Sequence, residues 1–298
     1  MEPRYRRATP EDAIACHELM WSSVTELGVR QGTPLEGAAE DWWRSSEPLS
    51  RLLAEEAAEW WVAELPSSSQ LVGFARSVER DGLFELTEFF VRPNQQSRGI
   101  GKALLERAFP AGRGRVRSII ATSDVRAQAR YYAAGTVARF PLFTMGGAPA
   151  ASSPVGDLMA EPIEGGRAIQ AQRRIERRVL GHRRSESEIG WLLVRRRGHL
   201  YLRDGQYIGF SFLGPDGTGP MAALNSADLP AILAHVEDVA RSIGLERLEL
   251  QVPGPNEVGI RHLLARGFHI DKWINLLMSD RPFGHFDRFI PFSPPLFL

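Results

Sequence analysis

The segment Glu88-Phe-Phe-Val-Arg-Pro-Asn-Gln-Gln-Ser-Arg-Gly-Ile-Gly-Lys-Ala-Leu-Leu-Glu-Arg-Ala108 joins an aromatic, β-branched strand to an amphipathic helix through a polar loop that carries two glycines. The strand stops at Pro93, which has no N–H to give a ladder. The helix turns Leu104, Leu105 and Ala108 toward a core. Strand, glycine-bearing loop and helix start together make an anion site. The first N–H groups of a helix lack intrahelical acceptors, and the macrodipole adds about half a positive charge there. Glycine lets an anion approach backbone that a Cβ would shield. Gln96, Ser97 and Arg98 add donors at the same place. Two phosphate motifs are excluded. A Walker loop needs Gly at 96 and Ser or Thr at 103, where the chain has Gln96 and Ala103. A dinucleotide fingerprint needs a third glycine at 104, where Leu104 stands. What remains is Gln96-x-x-Gly99-x-Gly101.

The flanking sequence supplies the frame. Thr9-Pro-Glu-Asp12 reads as a helix start, with Thr as N-cap, Pro at the first helical position and acids in the first turn; this helix runs to about Leu27. A second helical run is expected over Pro48 to Glu59. Trp60–Glu64, Gln70–Val78 and Leu83–Val91 read as strands, with Asp81-Gly82 as a hairpin turn. A helix from Arg98 to Phe109 stops at Pro110. Val116–Thr122 is a strand and Val125–Ala134 a helix, with Gly135 as its C-terminal cap. Strands followed by strand–helix alternation predict an α/β fold with a mixed, mostly antiparallel sheet flanked by helices.

The halves of the chain resemble each other. Gln70-Leu-Val-Gly73-Phe reads like Gln206-Tyr-Ile-Gly209-Phe. Asp124-x-x-Ala127-x-x-x-Tyr131-x-x-x-Gly135 reads like Asn256-x-x-Gly259-x-x-x-Leu263-x-x-x-Gly267. Two matches in the same order at nearly one offset predict a duplicated domain. The Gly- and Pro-rich stretch from Gly146 to Gly156 reads as a connection. The expected division is a first domain over 1–147, a linker over 148–164 and a second domain over 165–298. A chain of 298 residues is also long enough for two domains.

Gln96-x-x-Gly99-x-Gly101, in its strand–loop–helix setting, resembles the pyrophosphate motif of the GCN5-related N-acetyltransferase (GNAT) superfamily. Asp124-x-x-Ala127-x-x-x-Tyr131-x-x-x-Gly135 resembles that family's last helix, with Asp124 in place of the usual Asn and Thr136 in place of the usual Phe. The resemblance covers about residues 5 to 145. It implies acetyl-CoA as cosubstrate and a primary amine of a small molecule or peptide as acceptor, attacked directly. It implies cofactor contacts at Phe89, Phe90, Val91, Gln96, Ser97, Arg98, Gly99, Ile100, Gly101, Lys102 and Ala103, with a backbone amide near Phe90 or Val91 polarising the thioester carbonyl. It implies Tyr131 as the acid for the departing thiolate, with Tyr132 as its alternative, and Glu88 as the base for the amine. The second half lacks the Gly-x-Gly loop and has Leu263 where Tyr131 stands, so no CoA site is expected there. A reading from another class is a non-catalytic acyl-CoA-binding module.

Composition bounds the rest. Thirty-six basic residues balance thirty-six acidic ones, which gives no global reason to bind nucleic acid. No apolar run is long enough to span a membrane, and no signal peptide is visible. One cysteine, Cys16, excludes an internal disulfide and a cysteine-based zinc site; its position in a helix reads as core or surface rather than as an acyl carrier. The histidines show no metal-binding spacing, so no metal is expected. A cytoplasmic monomer or homodimer is expected. Arg173-Arg174, Arg177-Arg178 and Arg183-Arg184 read as a solvated basic face, and the five phenylalanines from Phe283 to Leu298 as a packed edge segment.

Overall fold

The computed structural model describes every residue except 1, 36, 97, 152–156, 216 and 293–297. The chain divides into two compact units, Met1–Ala138 with Met278–Arg281 and Arg139–Leu277 with Pro282–Leu298.

The first unit is built from β1 (Arg4–Arg7), α1 (Ala13–Gln31), α2 (Ala39–Glu55), β2 (Ala57–Leu65), β3 (Gln70–Arg80), β4 (Leu83–Val91), α3 (Ile100–Ala108), β5 (Val116–Ala121) and α4 (Val125–Ala133). Its strands lie in chain order, antiparallel from β1 to β4, with β4 and β5 parallel. The sheet is covered on both faces. Cys16, Leu19 and Met20 of α1 pack with Trp60, Val62 and Phe74 on one face. On the other, α3 comes so close to β3 that a Cβ at Gly73 would lie 2.9 Å from Leu104 Cδ1. Ser77 Oγ donates to the Ala108 carbonyl at 2.6 Å and fixes the end of the same helix.

The second helix differs from the sequence expectation. It begins at Ala39 and ends at Glu55, with Pro48 inside it, while Ala57 already belongs to β2. Proline removes one backbone bond from a helix. Burial of Leu49, Leu52 and Leu53 one turn on, and Glu40 and Asp41 in the first turn, outweigh that loss.

The second unit contains β6 (Val137–Gly147, from Arg139 onward), β7 (Met159–Pro162), α5 (Gly165–Leu180), α6 (Glu186–Arg195), β8 (Arg197–Arg203), β9 (Gln206–Gly214), β10 (Gly217–Ala223), α7 (Leu229–Ser242), β11 (Leu248–Pro253), α8 (Glu257–Ala265), β12 (His269–Ser279, to Leu277) and β13 (Phe289–Ile290). Strands β13, β10, β9, β8 and β7 form an antiparallel sheet in that order, and β6 pairs with β11. Gly146 and Gly147, read in the sequence as the start of a connection, are paired in β6 with Glu249 and Leu248. Residues 152–156 of that stretch lie outside the described residues.

The repeated sequence matches have a common physical cause. Gly209 on β9 repeats the role of Gly73: a Cβ there would lie 2.6 Å from Ile232 Cδ1 on α7. Gly135 and Gly267 end α4 and α8 with φ of 88° and 87°, the left-handed conformation glycine adopts without strain. Asp124 and Asn256 both cap a helix start through a side-chain oxygen, accepting from Arg126 N and Gly259 N.

Two outlying segments divide differently. On α5, Arg174, Arg177 and Arg178 are exposed, but Arg184 is wholly buried against Glu176, so the basic run is not one solvated face. A buried guanidinium needs a carboxylate, and Glu176 one turn back on α5 supplies it. In the tail, β13 adds to the sheet edge and buries Phe289, flanked by buried Phe286 and Phe292.

Candidate active site

The site forms where β4 and β5 part. They pair from Leu83↔Val116 to Leu86↔Ile119, yet β4 runs on to Val91. Beyond Leu86 the β5-facing edge of β4 has no strand partner among the described residues. Backbone alternation shows which amides line that edge. Arg92 N donates to Val72 O on β3 at 2.9 Å, so the Phe90 amide also faces β3, and the amides of Phe89 and Val91 face the open edge. The Val91 carbonyl on that edge accepts from Gln96 Nε2 at 3.1 Å, which ties the loop back to the strand.

The loop then delivers an uncapped helix. Pro93–Gln95 form a 3-10 turn, and Gly99 takes a left-handed conformation (φ 83°) as the N-cap of α3. No side chain caps this end, and the first helical bond is Ala103 N to Gly99 O. The amides of Ile100, Gly101 and Lys102 therefore have no intrahelical acceptor. Ile100 is buried and anchors the turn, while Arg98, Gly99 and Lys102 are exposed. Ser97 lies outside the described residues. Gly101 leaves little room beside it: a Cβ would lie 3.0 Å from Phe89 Cζ and 3.3 Å from Arg130 Nε. Arg130 of α4 thus rests against the positive end of α3, with no ion pair of its own among the described residues. The sequence reading missed it. The signal was its place one residue before Tyr131, on the helix that closes this side of the loop.

Tyr131 is 6% exposed and meets Phe89 edge-on, ring centroids 5.9 Å apart. Burial first, and the charge of Asp124 second, push its phenol well above the ordinary tyrosine value. Tyr132 points elsewhere: it is 51% exposed, and its hydroxyl accepts from Ala138 N at 3.3 Å.

Glu88 projects from the opposite face of β4. A β-bulge between Leu86 and Glu88 sets Glu88 across from Arg76 on β3, with Arg76 Nε 3.0 Å from Glu88 Oε2 and both side chains buried. Burial raises the Glu88 carboxyl against the pull of Arg76. Tyr131 and Glu88 therefore lie on opposite faces of β4. Cys16 lies in the core near Arg76 and Glu88, and burial pushes its thiol far up, away from the reactive thiolate form.

The two departures from the family pattern have local reasons. Burial would raise the Asp124 carboxyl, but hydrogen bonds from Arg126 and Arg30 hold it below the usual carboxylate range. An Asn could not pair those charges. Thr136 is buried, and its Oγ1 donates to the Tyr131 carbonyl at 2.9 Å, satisfying the end of α4.

Among the described residues, the second unit offers no such cradle. Asn225 caps the turn that enters α7, accepting from Ala227 N at 3.1 Å. Asp228, the N-cap of α7, places a carboxylate at the helix start, paired with Arg203. Leu263, opposite Tyr131 in the repeat, is buried in the core.

Comparison with known proteins agrees with this geometry. The acetyltransferase (GNAT) domain family matches residues 56–135, which hold the sheet, loop and helices of the site. A putative acetyltransferase from Pyrococcus horikoshii superposes with a TM-score of 0.71 at 15% identity, over 97% of this chain and 93% of that one. A GCN5-related N-acetyltransferase from Sphaerobacter thermophilus gives 0.63 at 17%, over 94% and 96%. A tandem GNAT protein from the clavulanic acid biosynthesis pathway gives 0.55 at 16%, over 94% and 99%. At these identities the likeness establishes the fold. No curated protein matches the sequence.

Proposed function

We propose that this chain, of tandem GNAT fold and with an acetyltransferase (GNAT) domain at residues 56–135, transfers an acetyl group from acetyl-CoA to a primary amine of a small molecule or peptide. The observation that carries the reading is the uncapped start of α3 at the mouth of the β4–β5 split. Three backbone donors, a helix dipole and nearby Arg98, Lys102 and Arg130 suit a diphosphate. The Gly101 cradle, which a Cβ would fill, fits the same group. The amides of Phe89 and Val91 suit an extended amide-bearing arm, which they would bind as an added strand.

Acetyl-CoA supplies an acyl group already activated as a thioester. This chain's residues do the rest. A β4 edge amide, Phe89 or Val91, polarises the acyl carbonyl. Glu88, on the α1–α2 face, accepts a proton from the acceptor ammonium, directly or through water. The freed amine forms the new C–N bond as the C–S bond breaks. Tyr131, on the α3–α4 face, gives its phenolic proton to the departing thiolate. Positioning the two bound reactants at one strand edge supplies much of the rate.

The test is calorimetric titration of the full chain with CoA, followed by thiol release from acetyl-CoA across a panel of primary amines. Saturable binding and amine-dependent release are expected. Absence of binding overturns the reading. Binding without release from any amine would favour a non-catalytic acyl-CoA module.

A further inference from the structure

Glu88 poses a problem for a base. Buried carboxylates become poor acceptors when a guanidinium saturates them, and they stay protonated when nothing offsets burial. Here a guanidinium opposes the effect of burial without saturating the carboxylate with hydrogen bonds. Arg76 and Glu88 face each other across β3 and β4 at 3.0 Å, but the contact lacks hydrogen-bond geometry: Glu88 Oε2, Arg76 Nε and Arg76 Nη2 are all buried without a hydrogen-bond partner among the described residues. The guanidinium is held from elsewhere. Arg76 Nη1 donates to the Ser50 carbonyl of α2 at 2.8 Å, and its Cζ sits 4.2 Å from the Trp60 ring. Its position is thus fixed by α2 and β2 as well as by the carboxylate. Around the pair, α1 contributes the neutral Cys16 thiol, β2 the Trp60 ring and α2 a backbone carbonyl.

We propose that Arg76 is a positioning residue of the transfer, acting through Glu88: a cation anchored by α2 and β2 that favours the ionised carboxylate and fixes its place on β4. This rests on the reading of Glu88 as the base. A merely structural arginine would be expected to hold its partner by hydrogen bonds, and its removal would change stability without moving proton chemistry.

The pair is tested by pH-difference infrared spectra of the full chain, following the protonated-carboxyl band that Glu88→Gln abolishes. In Arg76→Met the midpoint of that band should move up by at least about one pH unit, as expected for loss of a cation within contact distance. Arg76→Lys should stay near wild type. Where Arg76→Met does not fold at neutral pH, it should fold on acidification, because protonating Glu88 removes the uncompensated charge; Arg76→Met/Glu88→Gln should fold at both. In pH profiles of acetyl-CoA turnover, the acid limb should move with the band. An unmoved band, or a lower rate with an unmoved acid limb, overturns the proposal. The spectra need no acetyl-CoA, so a wild-type chain that fails to bind CoA would sink the transferase reading separately, by a different measurement.

Discussion

Tyr131 and Tyr132 are adjacent in sequence and opposite in circumstance, which makes them separable by single substitutions. Tyr131→Phe removes the proton donor but keeps the ring that meets Phe89. It should lower kcat by about 10²- to 10⁴-fold and leave CoA affinity within error. Tyr132→Phe loses one hydroxyl contact at the surface and should leave both unchanged. Equal losses in the two variants would remove Tyr131 from the mechanism. The sign of the pH effect follows from burial. A phenol raised above its ordinary value keeps its proton as pH climbs, so the alkaline limb belonging to Tyr131 should lie above about 10, the ordinary tyrosine range. Arg130 makes a different kind of claim. A cation against the positive end of a helix is unfavourable until an anion joins them. Arg130→Ala should weaken CoA by about tenfold or more, the worth of one charge-assisted hydrogen bond, and leave pantetheine, which lacks the diphosphate, unaffected. Calorimetry with both ligands checks it.

At the level of elements, β4, the loop and α3 carry the site together. Gly101→Val would drive a branched side chain toward Phe89 and Arg130 and cover the amides of the first turn. CoA binding should vanish while the melting temperature falls by only a few degrees, the cost of about 1 kcal/mol in a chain this size. Retained affinity would place the diphosphate elsewhere. The loop and helix were legible because their signals are local: Pro93 ends a strand, Gly99 and Gly101 open a helix, and Leu104 and Leu105 face inward. The faces of β4 were not legible. Simple alternation sets Leu86, Glu88 and Phe90 on one side. The bulge between Leu86 and Glu88 changes phase, so Leu86 lies across from Ser77 and Glu88 across from Arg76. Bulges answer to the partner strand, and one strand's sequence does not record them. The same holds for α2, where buried leucines beyond Pro48 overrode a local helix breaker.

For the molecule as a whole, the duplication was legible through Gly73 and Gly209, residues fixed by close helix–strand approach in both units. Packing preserves such positions whether or not a ligand is bound. The functional parts answer to a different pressure, and there the copies diverge. In the first unit the helix after the central strands begins without a cap, on glycine, with cations nearby. In the second, Asn225 caps the turn that enters α7, the Asp228 carboxylate stands at the N-cap of α7, and Pro230, which lacks an N–H, lies just inside the helix. An arriving diphosphate would meet negative charge and fewer donors, both unfavourable at a helix N-terminus. The chain should therefore bind one CoA, not two. Equilibrium titration of the full chain should saturate at one per chain, and Gly101→Val should abolish all of it. A stoichiometry near two, or half the heat surviving in Gly101→Val, would mean that the second unit binds the cofactor by a surface unlike the first.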